Sequence, residues 1–278
     1  MHPILFAIGQ IHIYSFSVFL ILSWLVFSFL FWRELRKGGV DEDKIFDLMF
    51  YATLVGFIVS RAGFVAFHWE LFSDTLLRVV AVWVQPGLSL YGAIAGALCT
   101  LILLSRREKV RLGTVLDAFA LSFPGALLIG LAGGFLDGAV VGKISRIPWA
   151  VRYVGNVGIR HPIQLYEIIA CIGIVIILWL LSQRSSKEKW PYGLVGLWFF
   201  LLFSILMFPL ELLKESRVYW TLSANQWILI ALFAEALGAF YVRGGGREAI
   251  RPVPHKIQQF FVKVFGGIYA KFSKQRSG

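Results

Sequence analysis

Seven stretches of about twenty mainly apolar residues, separated by short segments that hold nearly all the lysine and arginine, leave this chain one solvent in which to fold. A helix rises 1.5 Å per residue, so ~20 residues cross a hydrocarbon core of ~30 Å. The stretches at 16–32, 45–68, 88–104, 115–136, 162–182, 192–212 and 224–242 therefore read as transmembrane helices. The expected fold class is all-α, a polytopic membrane protein with about seven spans. Composition agrees: 58% of the residues are hydrophobic and 15% charged, against roughly 25% charged in a soluble domain. Residues 1–242 are expected to form the transmembrane domain and 243–278 a basic tail.

A net charge of +11 suits nucleic acid or an anionic membrane surface. Its distribution favours the membrane. Nineteen of the 27 lysines and arginines fall in 32–44, 105–114, 183–191 and 243–278, seven in the alternate segments, and Arg61 lies within a span. The positive-inside rule then puts the N-terminus outside and the C-terminus in the cytoplasm, which requires an odd number of spans. The first ten residues carry no Lys or Arg and no small-residue cleavage site follows the first block, so that block is expected to stay as a span. Between His255 and Lys274 the tail interleaves Ile257, Phe260, Phe261, Val264 and Phe265 with lysines, the pattern of a helix lying on anionic lipid or of a solvated tail. Cys99 and Cys171 both sit inside apolar blocks, which argues against a disulfide framework or a thiolate metal site.

Polar side chains inside a bilayer are costly and are kept mainly for function or pairing, so their depth is informative. With the helix directions above, Arg61, Tyr91, Asp137, Lys143, Arg160, His161, Gln164, Glu167, Glu211 and Lys214 all fall in or near the outer leaflet, with Tyr14 ahead of the first span. The inner half offers little beyond Asp117 and Glu235. Gln164 and Glu167 are one turn apart on one helix face. Pro162 in that first turn leaves the opening amides free to face an anion. Guanidinium groups to hold phosphate, with a histidine or glutamate to move a proton, suit an anionic phospholipid head group. The bland reading is that these are interfacial anchors and interhelical hydrogen bonds. Polar groups confined to one side argue against a small transporter or channel, which would show them through the full depth or carry broken helices at the midplane. No zinc-type histidine pair, phosphate-binding loop, nucleophile elbow or run of metal-binding carboxylates is present, so neither metal nor cofactor is expected.

The same segments occur in a recognisable order. His2-Pro3 leads to Ile8-Gly9 and Tyr14, and Ser60-Arg61 is followed by Phe64. Pro86-Gly87 precedes Ser89, Tyr91 and Gly92, and Asp117 precedes Pro124. Next comes the frame Gly130, Gly133, Phe135, Asp137-Gly138 and Gly142-Lys143. Then follow Arg160-His161-Pro162, Gln164-Leu165-Tyr166-Glu167, Glu211 with Lys214, and Gln226. In these motifs, along most of its length, the chain resembles the prolipoprotein diacylglyceryl transferases of bacteria.

The resemblance implies a seven-helix, multi-pass enzyme of the bacterial cytoplasmic (inner) membrane. Its reaction would move the diacylglyceryl group of phosphatidylglycerol to the lipobox cysteine of a prolipoprotein signal peptide, forming a thioether and releasing glycerol phosphate. That is the first step of lipoprotein maturation. The expected partners are phosphatidylglycerol, lipobox signal peptides and membrane lipids, with no nucleic acid. His161, Glu167 and Tyr14 are the expected catalytic residues. Arg61, Arg160, Gln164, Lys143, Gly142, Asp137 and Glu211 are expected to bind substrate, with Arg61 and Arg160 on the phosphate. The chain departs from the family signature at Leu131, Gly134, Ala139, Tyr91 and Met207, where the signature carries Arg, Asn, Glu, His and Arg. Arg61, Lys143, Arg146, Arg152 and Arg160 are the candidates to replace the absent arginines. The alternative function is a non-catalytic lipid- or signal-peptide-binding membrane protein on the same scaffold.

Overall fold

A computed structural model describes residues 3–8, 11–82 and 84–243. The chain divides into two units, Met1–Ala236 and Leu237–Gly278, and apart from residues 237–243 the first holds everything that follows. The amphipathic pattern expected between His255 and Lys274 lies outside the described residues, as do His2 and Gly9.

Among the described residues, seven helices are long and apolar enough to cross a membrane: α1 (Ser15–Lys37), α2 (Glu42–Phe67), α4 (Leu90–Arg107), α5 (Leu112–Asp137), α6 (Ile163–Glu188), α7 (Leu194–Glu211) and α8 (Ala224–Arg243). The all-α, seven-span expectation holds. A single-turn α3 (Leu77–Val80) lies between α2 and α4. Three short antiparallel hairpins join or precede the spans: β1 (Ile4–Ile8) with β2 (Ile11–Tyr14), β3 (Val151–Arg152) with β4 (Ile159–Arg160), and β5 (Val218–Tyr219) with β6 (Leu222–Ser223). The sequence does not announce these hairpins, because each is too short to show an alternating pattern.

Two spans run longer than their apolar blocks. α1 continues to Lys37 and α6 to Glu188. Past the hydrocarbon, ion pairs one turn apart sustain the helix: Lys37 to Glu34 at 2.9 Å and Arg184 to Glu188 at 2.8 Å. At three helix boundaries the backbone takes the left-handed region. Gly138 follows α5 at φ +75, Lys189 follows α6 at φ +52, and Gly193 precedes α7 at φ +93.

α5 and α7 form the interior. Of their most apolar windows, 50% and 61% is buried in protein, against 11–39% for the other spans, whose remaining apolar surface is left for lipid. α1, α6 and α7 all pack on α5, while α2 packs on α4. Small residues permit the second contact: a Cβ on Gly96 of α4 would stand 2.7 Å from Cβ of Val59 on α2. Phenylalanines fill the centre, with Phe119 stacked on Phe123 at 4.9 Å and Phe203 against Phe199 at 5.3 Å. At one end of the bundle the Asp117 carboxylate accepts from the backbone N–H of Gly193 and of Gly196, each at 2.7 Å, and so anchors the free amides that open α7. This accounts for an acidic residue in an otherwise apolar span.

Candidate functional site

The other end of the bundle gathers the polar residues. α2, α5 and α7 end there, and α4, α6 and α8 begin there. At its centre stands Lys214, in the turn after α7. Its Nζ contacts Glu211 Oε1 at 2.5 Å and Glu167 Oε1 at 2.7 Å. The Tyr91 hydroxyl donates to Glu211 Oε1 at 3.0 Å, and Asn225 Nδ2 donates to Glu211 Oε2 at 3.0 Å. Four helices or their flanking turns thus place five polar side chains in one connected cluster. Tyr91, Glu167, Glu211 and Lys214 are all at most 8% exposed.

Two carboxylates against one ammonium leave a formal charge of −1 in a buried place, which is stable only when the groups are well paired. The two glutamates are not equivalent. Glu211 receives three donors on its two oxygens, whereas Glu167 receives Lys214 alone among the described residues. Burial works against the Lys214 ammonium, but the flanking glutamates outweigh it and hold its pKa above the ordinary lysine value. Lys214 is therefore charged throughout the physiological range. Its ammonium also faces the Tyr91 ring, 6.0 Å from the centroid.

Around the cluster the loops are tied by backbone. Segment 141–145 runs between the turn after α7 and the start of α6. The N–H of Lys143 donates to the Leu213 carbonyl at 2.8 Å, that of Glu215 to Val141 at 3.0 Å, and that of His161 to Lys143 at 3.1 Å. Gly142 pairs with Lys214 across this ribbon, and an added Cβ there would lie 2.3 Å from the His161 carbonyl oxygen. Only glycine fits. Gln164, 1% exposed, donates to the Val140 carbonyl at 2.9 Å and accepts from the Tyr153 hydroxyl at 3.1 Å. Burial pushes the Tyr153 pKa up to about 12, so its hydroxyl stays a neutral donor.

Arg160 is buried by the same ribbon. It donates to the Gly142 carbonyl at 3.1 Å and pairs closely with Glu215. Arg61, on α2, is held separately, by the segment between α2 and α4. Its Nε, Nη1 and Nη2 donate to the carbonyls of Val79 (2.8 Å), Gly87 (2.9 Å) and Arg78 (2.7 Å), and its guanidinium lies 5.0 Å from the Phe72 ring centre.

The sequence-derived candidates therefore sort into groups. Glu167 and Glu211 meet in the cluster, while Gln164, Gly142 and Arg160 build its wall. His161 is half-buried, its Nδ1 3.3 Å from the Tyr166 hydroxyl, which also accepts from Trp149 Nε1 at 2.8 Å. Asp137, half-buried at the end of α5, and the exposed Lys143 make no ion pair among the described residues; Tyr14 is 52% exposed where β2 enters α1. Sequence reasoning places Lys214 and Tyr91 by depth without making them site residues, and it misses Tyr153, Asn225 and Glu215. Spacing offered one signal: Lys214 stands three residues after Glu211, a helical neighbour. Tyr153 lies in a loop segment, where periodicity carries no information.

A family model described as prolipoprotein diacylglyceryl transferase matches residues 3–242. Among curated relatives, the phosphatidylglycerol–prolipoprotein diacylglyceryl transferase of Chromohalobacter salexigens is 27% identical over 81% of this chain and 84% of its own. Those of Bordetella avium and of the Wolbachia of Brugia malayi are 28% and 27% identical, each over 86% of this chain and 93% and 92% of their own.

Proposed function

The chain belongs to the prolipoprotein diacylglyceryl transferase family, and from that premise we propose that it transfers the diacylglyceryl group of phosphatidylglycerol to the lipobox cysteine of a prolipoprotein, at the polar end of its bundle. The observation that carries this reading is the buried cluster of Glu167, Lys214 and Glu211. In the reaction the cysteine sulfur bonds to the glyceryl carbon as the bond from that carbon to the phosphate oxygen breaks. Glycerol phosphate leaves with the bonding pair. The thiol proton passes to Glu167, the carboxylate with acceptor capacity to spare, while Glu211, held by three donors, keeps Lys214 in place. Lys214 favours the charged form of both carboxylates and stabilises negative charge developing beside it.

Lys143, Arg146 and Arg152, exposed on the ribbon loop and unpaired with any acid among the described residues, draw in the anionic head group. Arg61 and Arg160, expected on the phosphate, serve instead to hold the loops that frame the cluster, since their donors are already engaged with carbonyls and Glu215. His161 with Tyr166 and the exposed Tyr14 are more accessible than the cluster and are suited to contact with a signal peptide. This end faces outward across the bacterial cytoplasmic membrane, because lysine and arginine concentrate at the opposite one.

The test is expression in bacteria depleted of their own diacylglyceryl transferase, with the mass of a lipobox reporter as readout. A gain of one diacylglyceryl group, absent when the reporter cysteine is replaced by serine, supports the reading. No gain from folded, membrane-inserted protein supplied with its native lipids contradicts it and favours the binding-protein alternative.

A further inference from the structure

α1 and α6 both lie against α5, and towards the end opposite the cluster they leave between them a cavity of about 450 Å³. It is remote from the site above: Glu167 and Ser182 lie on one helix fifteen residues apart, or about 22 Å at 1.5 Å per residue. The α6 side of the cavity has a graded polarity. Val175 and Leu178 line its deep part, Trp179 follows, and Ser182, Gln183 and Ser186 line the part towards the helix end. From Val175 to Ser186 the wall is about 16 Å long, the reach of roughly a dozen methylenes in an extended chain.

On the α1 side the outer part carries Arg33 and Lys37. Both pair with the one carboxylate of Glu34, at 2.9 Å each, so the group keeps one uncompensated positive charge. On the α5 side stand Leu121, Ala120 and Pro124. Proline has no N–H, so the Ala120 carbonyl lacks its usual helical donor and remains an acceptor in the wall. A cavity that is apolar in depth, aromatic at the interface and cationic at the mouth matches one class of molecule, an amphiphile with an anionic head.

We propose that this cavity binds a phospholipid with an anionic head group, its phosphate at Arg33 and Lys37 and one acyl chain along Val175, Leu178 and Trp179. This second lipid site lies at the opposite membrane face from the transfer site and does not depend on catalysis there. It gives the enzyme a resident lipid that fills the gap between α1 and α6 and fastens both to α5.

The test uses the full chain in nanodiscs with photoactivatable phosphatidic acid, or with the same probe bearing a choline head group, and maps labelled peptides by mass spectrometry. Phosphatidic acid labels 175–186 at least fivefold more than the choline probe does. R33Q/K37Q removes that preference, and millimolar inorganic phosphate leaves labelling unchanged. S182W, which fills the cavity and keeps the cations, lowers labelling by both probes and guards against a folding defect in the double variant. Equal labelling by both head groups, labelling indifferent to R33Q/K37Q and to S182W, or competition by free phosphate would overturn the proposal.

Discussion

Of the buried cations at the polar end of this protein, Arg61 and Lys214 do different work. Arg61 is 6% exposed and Lys214 8%, so burial does not distinguish them. Their partners do. From α2, Arg61 spreads its planar fork over three backbone carbonyls of the segment between α2 and α4, groups that do not titrate. Lys214 is held by two carboxylates from α6 and α7, one of which retains capacity to accept a proton. A cation satisfied by backbone is a fastening. One satisfied by titratable groups is a place where charge can change. The positive character that makes an intramembrane residue conspicuous in a sequence thus does not say which of these it is.

Replacing Lys214 gives the largest expected effect. Lys214→Met leaves two buried carboxylates facing one another without a counter-ion, which costs about 3–5 kcal/mol. Thermal unfolding in detergent should fall steeply, and transfer should be lost. Arg61→Lys comes next. A single ammonium cannot reach Val79 and Arg78 on one side and Gly87 on the other, so the segment 78–87 loses about 2 kcal/mol of anchoring. Hydrogen exchange there should accelerate, while the transfer rate stays within tenfold of the parent. A larger loss of transfer with unchanged exchange would return Arg61 to the chemistry.

The smallest effects separate two adjacent glycines at the end of α5. A Cβ on Gly133 would stand 2.2 Å from Cβ of Phe19, whereas one on Gly134 meets nothing within 4 Å. Gly133→Ala should destabilise by about 1–3 kcal/mol through overpacking of α5 on α1. Gly134→Ala should be neutral, or stabilising by up to about 1 kcal/mol through helix propensity. Equal melting temperatures for the two variants would contradict the packing described here.

Much of this was legible in the sequence because the bilayer imposes a length and a polarity that a reader can count. The seven spans and the convergence of Gln164, Glu167 and Glu211 at one end follow from block length and helix direction alone. Pairing was not legible, since it depends on rotation and loop path. Nothing in the order of residues says that Arg61 folds back on carbonyls some 17–26 positions ahead, or that Arg160 meets Glu215. The role of Gly142 was half-visible: a glycine permits close approach of backbone, but only the ribbon identifies the His161 carbonyl as what a side chain would strike. Tyr91 shows the same limit, because its depth was readable and its hydrogen bond to Glu211 was not.

The most direct test of the account is the rate at which protein purified into phosphatidylglycerol vesicles forms a thioether on a lipobox peptide, compared between the parent and Glu167→Gln. The substitution preserves shape, removes the capacity to take a proton and leaves Glu211 as the one carboxylate paired with Lys214. The account predicts a rate lower by about 10²–10⁴-fold, with folding and peptide binding retained. A Glu167→Gln protein that transfers at the parental rate would contradict it and place the chemistry elsewhere.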